Sequence, residues 1–341
     1  MDSEIERMQG LWSTAEALMV EGKGILAADE STGTIGRRFE PIGVENTEEN
    51  RRAYRELLFT TEGFESYVSG VILFDETIRQ RAVDGTPFVE LLQRRGVIPG
   101  IKVDAGAEPL AGATDETVTE GLDGLRERLA EYRDLGARFT KWRAVLHIGD
   151  DRPTGYAVDV NAHALARYAA LAQEAGLVPI VEPEVLMDGD HDIDQCFDAT
   201  EATLREVFYQ LAQQGVDLEG MVLKPNMVVS GSEASDRAGP ETVAEMTLTC
   251  FLQTVPAAVP GIAFLSGGQS DEEATLNLDA INRLAGDVGA PWRLTFSFGR
   301  ALQSAPQQAW RGQPANVERA QQAFLERART TAEASSGAYQ P

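Results

Sequence analysis

Eight short apolar segments recur along this 341-residue chain at intervals of roughly 40 residues, and they restrict its fold more than any other feature. Each is rich in β-branched residues, leucine or phenylalanine, as expected of strands buried on both faces. The segments are GILAAD (24–29), VSGVILF (68–74), IPGIKVD (98–104), RFTKWRAVL (138–146), LVPIVEPEVL (177–186), GMVLKPNMV (220–228), GIAFLSGG (261–268) and RLTFSFGR (293–300). Longer stretches with helical spacing lie between them, and two of these end at Gly136 and Gly176, a residue type that favours helix termination.

Eight alternations of strand and helix favour a closed parallel (β/α)8 barrel, the TIM barrel, over an open sheet. One α/β barrel commonly exceeds about 250 residues as a single domain. Residues 1–341 are therefore predicted to form one domain, with a C-terminal helix and tail over about 302–341. The alternative is an open, doubly wound sheet, which normally carries a glycine-rich turn after its first strand. GILAADESTG lacks the G-x-G-x-x-G spacing of such a turn.

The composition disfavours several classes of protein. A formal net charge of −24 argues against a general nucleic-acid or anionic-membrane binder, because phosphate groups would be repelled. No uninterrupted apolar run approaches about 18 residues, and MDSEIERMQG lacks the apolar core of a signal peptide. The three histidines show no metal-ligand spacing, and Cys196 and Cys250 form no disulfide framework or zinc motif. We therefore expect a soluble, cytoplasmic protein without a metal site.

Charged and polar residues fall in the later half or at the end of the predicted strands. A charge is costly within an apolar strand unless it is paired or lies at the open end, and a barrel carries its active site on that face. Of four lysines among 30 cationic residues, three lie there, and Lys23 at the entrance of the first strand is predicted to be structural. The residues at the strand ends are Asp29, Lys102, Asp104, Lys141, Arg143, Glu182, Glu184, Lys224, Asn226, Ser266 and Arg300.

Lys224 follows three apolar residues and precedes a proline. A buried lysine can lose its proton and form a Schiff base, which an arginine cannot do. Lys141, two strands away around the predicted barrel, would be a second cation that favours the neutral amine. The alternative is a structural salt bridge between Lys224 and Glu182 or Asp29.

Glu182 and Glu184 in VEPE are two residues apart and therefore share one face of a strand. If both point inward, repulsion should leave one of them protonated near neutral pH, ready to act as a general acid. The alternative is ion pairing with Lys141 and Arg143, which are also two residues apart, and the two interpretations are compatible.

Two segments are candidates for binding phosphate. LSGGQS (265–270) opens a helix after the seventh strand, and Arg300 ends the eighth. An anion can be bound by the accessible backbone N–H groups of glycines, by a helix N-terminus and by an arginine. Barrels also often bind phosphate in the loops after the seventh and eighth strands. The alternative is an ordinary turn. DESTGTIGRR, after the first strand, would supply Ser31, Thr34 and Arg38 for another phosphate or simply a helix cap.

The chain resembles class I fructose-1,6-bisphosphate aldolases, the Schiff-base type. The similarity covers nearly everything except the C-terminal tail and is most specific in AADEST, LKPNM and LSGGQS. It implies a (β/α)8 lyase of glycolysis and gluconeogenesis that reversibly cleaves fructose 1,6-bisphosphate to dihydroxyacetone phosphate and glyceraldehyde 3-phosphate. It also implies a homotetramer and no cofactor, because a protonated imine is itself the electron sink.

The resemblance implies a role for each matching residue. Lys224 would form the imine, and Glu182 would help to dehydrate the carbinolamine. Asp29 would take the proton from the C4 hydroxyl, Lys141 would support charge and proton transfer, and Glu184 would orient its neighbours. The phosphate nearest the ketone would be held by Ser266, Gly267, Gly299 and Arg300. The other end of the substrate would be held by Ser31, Thr34, Arg38, Lys102 and Arg143.

The chain departs from the family pattern at several positions. Thr34 stands where serine is usual, Ala105 replaces a common lysine, and Phe298 stands where tyrosine is frequent. In animal members a longer tail ends in a tyrosine that assists proton exchange, and Tyr339 aligns before that tail and receives no such role.

Two other functions are alternatives to this one. The first is a related Schiff-base aldolase or transaldolase that acts mainly on sedoheptulose bisphosphate or another sugar phosphate. The second is a barrel kept as a binding protein after loss of catalysis. Such a protein should have lost its costly buried charges, and the main set is present here.

Overall fold

The computed structural model describes residues 2–340 and contains a closed, eight-stranded parallel barrel surrounded by helices. The strands are β1 Gly24–Ala28, β2 Val68–Leu73, β3 Ile98–Lys102, β4 Gly106–Pro109, β5 Thr117–Glu120, β6 Phe139–Leu146, β7 Val178–Val185, β8 Val222–Leu223, β9 Gly261–Phe264 and β10 Arg293–Phe298. Strands β4 and β5 form a separate antiparallel pair, and the other eight close in the order β1-β10-β9-β8-β7-β6-β3-β2. The predicted (β/α)8 barrel is confirmed, and the alternative of an open sheet is wrong.

Twelve α-helices cover the barrel within residues 2–340. They are α1 Asp2–Leu18, α2 Thr32–Phe39, α3 Glu48–Thr60, α4 Asp75–Arg79, α5 Phe88–Arg94, α6 Leu125–Asp134, α7 Gly155–Glu174, α8 Ile193–Gln213, α9 Pro240–Thr254, α10 Asp271–Val288, α11 Arg300–Trp310 and α12 Val317–Ala334. In this part of the chain, none of the helices combines the length and the apolar character needed to cross a membrane.

Local sequence signals set several helix ends. Gly136 and Gly176 follow α6 and α7 with φ angles of 108° and 74°, a conformation that glycine adopts without the steric penalty of a Cβ. Ser270 caps α10 by accepting a hydrogen bond from the Glu273 N–H, and the Glu273 side chain accepts one from the Ser270 N–H in return. The residues of LSGGQS therefore lead directly into a helix N-terminus.

The amino-terminal end of the barrel is filled by the N-terminal helix. Apolar side chains at the end of α1 form one buried cluster with side chains from the barrel interior. Glycines on the strands make room for them: a Cβ on Gly70 would lie 2.7 Å from Leu18 Cδ2, and one on Gly261 would overlap the Met19 sulfur. Because this end is packed with apolar side chains, polar residues of the strands collect at the opposite, carboxyl-terminal end.

The C-terminal segment forms two helices rather than the predicted helix and tail. Gly312, with a φ of 68°, and Pro314 lie between α11 and α12, where they end one helix and start another. Helix α12 packs on the barrel helices, and Arg327 Nη2 donates to Thr275 Oγ1 of α10 at 3.0 Å. Beyond α12, the Tyr339 N–H donates to Asp279 Oδ1 at 2.9 Å. This segment is therefore integrated into the outer helical layer.

Candidate active site

A cavity of about 690 Å³ opens at the carboxyl-terminal ends of the barrel strands. The candidate catalytic and phosphate-binding residues line it: Asp29, Ser31, Thr34, Arg38, Lys102, Lys141, Arg143, Glu182, Glu184, Lys224, Ser266, Gly267, Gly299 and Arg300. Asn226, which was also named at a strand end, lies outside this lining, and its Nδ2 donates to Thr200 Oγ1 at 3.0 Å. Lys23 lies elsewhere and donates to the backbone carbonyl of Glu65 at 2.8 Å, which fits its predicted structural role. The structure therefore brings residues from all along the chain into one site.

Strand register explains how these side chains meet. Lys102 of β3 is paired with Lys141 of β6, and Arg143 of β6 is paired with Glu182 of β7. Since side chains alternate along a strand, the two cations of β6 and the two glutamates of β7 face the same cavity. Lys224 directly follows the short strand β8, and its N–H donates to the Val181 carbonyl at 2.8 Å. The amine thus enters the cavity beside Glu182.

The centre of the cavity holds two cations and two carboxylates in mutual contact. Lys224 Nζ lies 3.2 Å from Glu182 Oε1, and Lys141 Nζ lies 3.3 Å from Glu182 Oε2 and 2.7 Å from Asp29 Oδ2. These side chains are at most 12% exposed. The charges balance, as burial of such groups requires. The salt bridge between Lys224 and Glu182 is thus present alongside the features of a Schiff-base site.

Electrostatics keep Asp29, Glu182 and Lys141 ionised. Burial opposes the charged form of Asp29, but Lys141 and Lys224 hold its pKa well below the ordinary value. Burial likewise opposes ionisation of Glu182, and the same two lysines lower its pKa. Burial disfavours the Lys141 cation too, yet Asp29 and Glu182 raise its pKa. The two carboxylates are therefore ionised, the form in which a carboxylate can act as a base.

One expectation about the glutamates is wrong for Glu182. Repulsion from Glu184 was expected to leave one of the pair protonated, but the nearby lysines lower the pKa of Glu182 instead. Glu184 forms its own ion pair with Arg143. Each glutamate thus has a cation beside it, as the alternative interpretation proposed.

Glycines and a helix start shape one wall of the cavity. Ser266 and Gly267 lie between β9 and α10, and a Cβ on Gly267 would lie 3.1 Å from Glu184 Oε1. Arg300 begins α11, and its Nη2 donates to the Gln269 carbonyl at 3.1 Å. This guanidinium thus contacts a backbone carbonyl and lies close to glycine N–H groups, an arrangement suited to an anion.

Two further parts of the cavity lining are the start of α2, which follows β1 beside β10, and the ends of β3 and β6 across the barrel. Ser31 caps α2, and its Oγ lies 3.1 Å from Thr34 Oγ1, so both proposals for this segment, a helix cap and a set of polar ligands, are compatible. Lys102 Nζ lies 2.6 Å from Asp104 Oδ1, while Asp104 Oδ2 accepts from the Arg143 N–H at 3.3 Å. Asp104 therefore ties β3 to β6 beneath these cations.

Three residues beside the cavity were missed in the sequence. Glu30 accepts hydrogen bonds from Arg38, from Arg55 Nη2 at 2.5 Å and from Gln303 Nε2 at 2.8 Å. Glu30 directly follows Asp29, so the polar cluster after β1 was a signal for it. Arg55 and Gln303 lie within α3 and α11, where nothing in the local sequence distinguishes them from surface residues.

Comparison with known proteins assigns the family. The family model for class I fructose-bisphosphate aldolase matches residues 10–341. This chain belongs to the class I fructose-bisphosphate aldolase family. The match spans the barrel, every candidate residue and both C-terminal helices.

Individual class I aldolases agree with this assignment. A probable fructose-bisphosphate aldolase class 1 of Xanthomonas campestris is 56% identical over 331 residues, which are 97% of this chain and 98% of that relative. The cytosolic fructose-bisphosphate aldolase 5 of Arabidopsis thaliana is 58% identical over 329 residues, covering 96% and 91% of the two chains. The aldolase of Plasmodium falciparum, solved in complex with TRAP and a small-molecule inhibitor, superposes with a TM-score of 0.96 at 48% identity, covering 98% and 96%. The resemblance found in the sequence is confirmed.

Proposed function

We propose that this aldolase reversibly cleaves fructose 1,6-bisphosphate to dihydroxyacetone phosphate and glyceraldehyde 3-phosphate through an imine on Lys224. The observation that carries the proposal is the contact of 3.2 Å between Lys224 Nζ and Glu182 Oε1, buried at the end of a cavity that is also lined by other cations. The names of the relatives favour fructose 1,6-bisphosphate over the alternative of a longer sugar bisphosphate.

Imine formation needs several proton transfers. Proton transfer within the Lys224–Glu182 pair gives a protonated carboxyl and a neutral amine, which attacks the C2 carbonyl of the substrate. A proton then passes from the added nitrogen to the C2 oxygen and gives the carbinolamine hydroxyl. Glu182 then returns the proton to the carbinolamine hydroxyl, the C2–O bond breaks, and water leaves. The contact of 3.2 Å between Lys224 Nζ and Glu182 Oε1 supports this role.

Cleavage needs a base at C4 and an electron sink at C2. Asp29 takes the proton from the C4 hydroxyl, the C4 carbonyl forms, and the electrons of the C3–C4 bond move to the protonated imine to give an enamine. The lowered pKa of Asp29 keeps it ionised, and Lys141 at 2.7 Å stabilises it before transfer. Protonation of the enamine at C3 and hydrolysis of the imine then release dihydroxyacetone phosphate.

Two sets of residues hold the two phosphates in this proposal. Ser266, Gly267, Gly299 and Arg300 take the phosphate nearest the ketone, while Ser31, Thr34, Arg38, Lys102 and Arg143 serve the other end. Support comes from their placement around one cavity and from the donors that glycine N–H groups and guanidinium groups present there. Glu184 positions Arg143 through their ion pair.

Borohydride trapping with dihydroxyacetone phosphate, followed by peptide mass mapping, tests the mechanism. We expect a reduced adduct on Lys224, loss of adduct and of cleavage in Lys224→Arg, and an intact fold in that variant, because guanidinium cannot form the imine. Lys23→Arg is the matched control, since that lysine lies outside the cavity. An adduct elsewhere, or activity that EDTA abolishes and zinc restores, would overturn the mechanism.

The assembly and location are further parts of the proposal. The family resemblance supports a homotetramer, and the names of the plant relatives support a cytoplasmic location. Light scattering coupled to size-exclusion chromatography measures the assembly directly, with a mass of four chains as the expected result. A monomeric mass at working concentration would contradict it.

A further inference from the structure

Arg55 is a buried charge that the proposed mechanism leaves unused. It lies within α3, is 2% exposed and is separated from the cavity by Glu30. A buried guanidinium is costly unless its donors are satisfied and its charge is paired. Arg55 Nη2 donates to Glu30 Oε2 at 2.5 Å, Nη1 donates to Gln303 Oε1 at 3.2 Å, and the guanidinium carbon lies 5.8 Å from the Tyr54 ring centre. These contacts fix it rigidly.

Glu30 links this buried cation to a cavity cation. Its Oε1 accepts from Arg38 and, at 2.8 Å, from Gln303 Nε2, while its Oε2 is taken by Arg55. Gln303 Nε2 also donates to the Ala27 carbonyl at 2.8 Å, which anchors the group to β1. The carboxylate therefore has one fixed orientation, and that orientation sets where Arg38 lies.

The charge balance of Glu30, Arg38 and Arg55 differs from that of Lys102 and Arg143. Lys102 pairs with Asp104 and Arg143 pairs with Glu184, one cation to one carboxylate. Glu30, by contrast, is shared by two guanidinium groups, so the cluster of Glu30, Arg38 and Arg55 keeps one positive charge. A phosphate dianion benefits from such an excess in a partly dry cavity.

Arg38 can deliver that charge to a ligand. Its side chain is 24% exposed, and its Nη2 lies 3.7 Å from the position that a Cβ on Gly299 would occupy, beside Arg300. Without Arg55, Glu30 would pair one-to-one with Arg38 and its Oε2 would be free to turn. The excess charge and the fixed position would both be lost.

We infer that Arg55 is a positioning residue for phosphate binding, which acts through Glu30 to hold the Arg38 guanidinium at the cavity wall and to leave its charge available. The inference rests on the proposed contact between Arg38 and a substrate phosphate. Arg55 itself touches no substrate.

Arg55→Met is the decisive variant, because it removes the charge and donors but keeps an unbranched side chain. We expect the KM for fructose 1,6-bisphosphate and the inhibition constant of inorganic phosphate each to rise about tenfold, with kcat within about twofold. The rate of borohydride trapping with dihydroxyacetone, which carries no phosphate, should stay unchanged. Arg55→Lys keeps the cation and should recover most of the phosphate affinity.

Arg51→Met is the matched control on the same helix. Arg51 makes a two-pronged ion pair with Glu76 at 2.8 and 2.6 Å, away from the cavity, so its loss should lower stability without changing the inhibition constant of phosphate. If Arg55→Met fails to fold, Arg55→Lys tests the inference instead. We then expect the inhibition constant of inorganic phosphate to rise about threefold, because the contact with Gln303 is lost.

These measurements test the role of Arg55 separately from the contact between Arg38 and phosphate and from the imine on Lys224. A wild-type inhibition constant in the soluble Arg55 variant, or an equal loss of trapping with dihydroxyacetone, would overturn the positioning role. Unchanged phosphate inhibition in Arg38→Met would instead refute the contact between Arg38 and phosphate. Failure to trap Lys224 in the wild-type enzyme would refute the imine and leave the Arg55 result to be judged on phosphate inhibition alone.

Discussion

Lys141 Nζ lies 2.7 Å from Asp29 Oδ2 and 3.3 Å from Glu182 Oε2, so one ammonium group joins the carboxylates proposed for the two halves of the reaction. Asp29 serves carbon–carbon cleavage and Glu182 serves imine formation. Because both carboxylates are buried, each depends on this cation for its ionised state. The relationship ties proton transfer at C4 to proton transfer at C2 through a single residue.

Replacing this cation should impair both steps. In Lys141→Met, we expect kcat to fall at least about a hundredfold, because a fixed charge beside the reacting groups is lost. Burial, no longer opposed by Lys141, should raise the pKa of Asp29 and of Glu182. The acid limb of the kcat/KM profile should therefore move to higher pH. Lys141→Arg, which keeps the charge, should leave that limb near its wild-type position, and an unshifted limb in Lys141→Met would contradict this account.

The same ion pairs should make the folded chain less stable as the pH falls. Since the pKa values of Asp29 and Glu182 are lower in the folded chain, their contribution is present above the ordinary carboxyl value of about 4 and is lost as the pH falls through the folded values. The difference in unfolding free energy between wild type and Lys141→Met, measured by urea unfolding, should thus be largest near pH 7 and shrink below about pH 4. A difference that grows on acidification would show that other groups dominate.

Packing in the barrel interior leaves no room for a side chain at Gly100. A Cβ at this position would overlap the Phe139 ring, so Gly100→Ala should destabilise the fold by about 1–3 kcal/mol. Phe139→Leu in the same chain should recover part of the loss. Gly286→Ala is the control, because Gly286 lies within α10 with no atom within 4 Å of the added methyl, and it should stabilise by up to about 1 kcal/mol. Additive losses in the Gly100–Phe139 double variant, measured by denaturant unfolding, would rule out the clash.

The strongly acidic chain should bind its anionic substrate less well at low salt than at moderate salt. The net charge of −24 repels a bisphosphate at long range, while cations attract it at the cavity mouth. Screening acts over about 10 Å at 0.1 M salt and about 30 Å at 0.01 M, so lowering the salt restores mainly the long-range repulsion. We expect the KM for fructose 1,6-bisphosphate to rise as ionic strength falls across this range. Trapping with uncharged dihydroxyacetone should show no such trend, and a KM that falls instead would mean that the local cations dominate.

The sequence by itself determined the architecture and most of the site. Eight apolar segments alternating with helical stretches specify a barrel, because buried parallel strands need continuous apolar runs and connecting helices. Polar residues at the end or in the later half of a strand, such as Lys102 and Glu182, were recognisable because a charge is costly elsewhere on such a strand. The segmentation of the C-terminal part into α11 and α12 was missed, although Gly312 and Pro314 marked the break.

Only the tertiary structure decided how the charges are paired. Whether Glu182 is protonated depends on distances to Lys141 and Lys224, which lie on other strands, and those cations reversed the expectation of a neutral carboxyl. Arg55 and Gln303 carry no local signal, because their roles arise from contacts with Glu30 across 25 and 273 positions of sequence. The hydrophobic pattern is repeated along the chain, so each strand and helix can be recognised from its own stretch of sequence. Charge pairing depends on which side chains meet at short range, and that is known only after the barrel has closed.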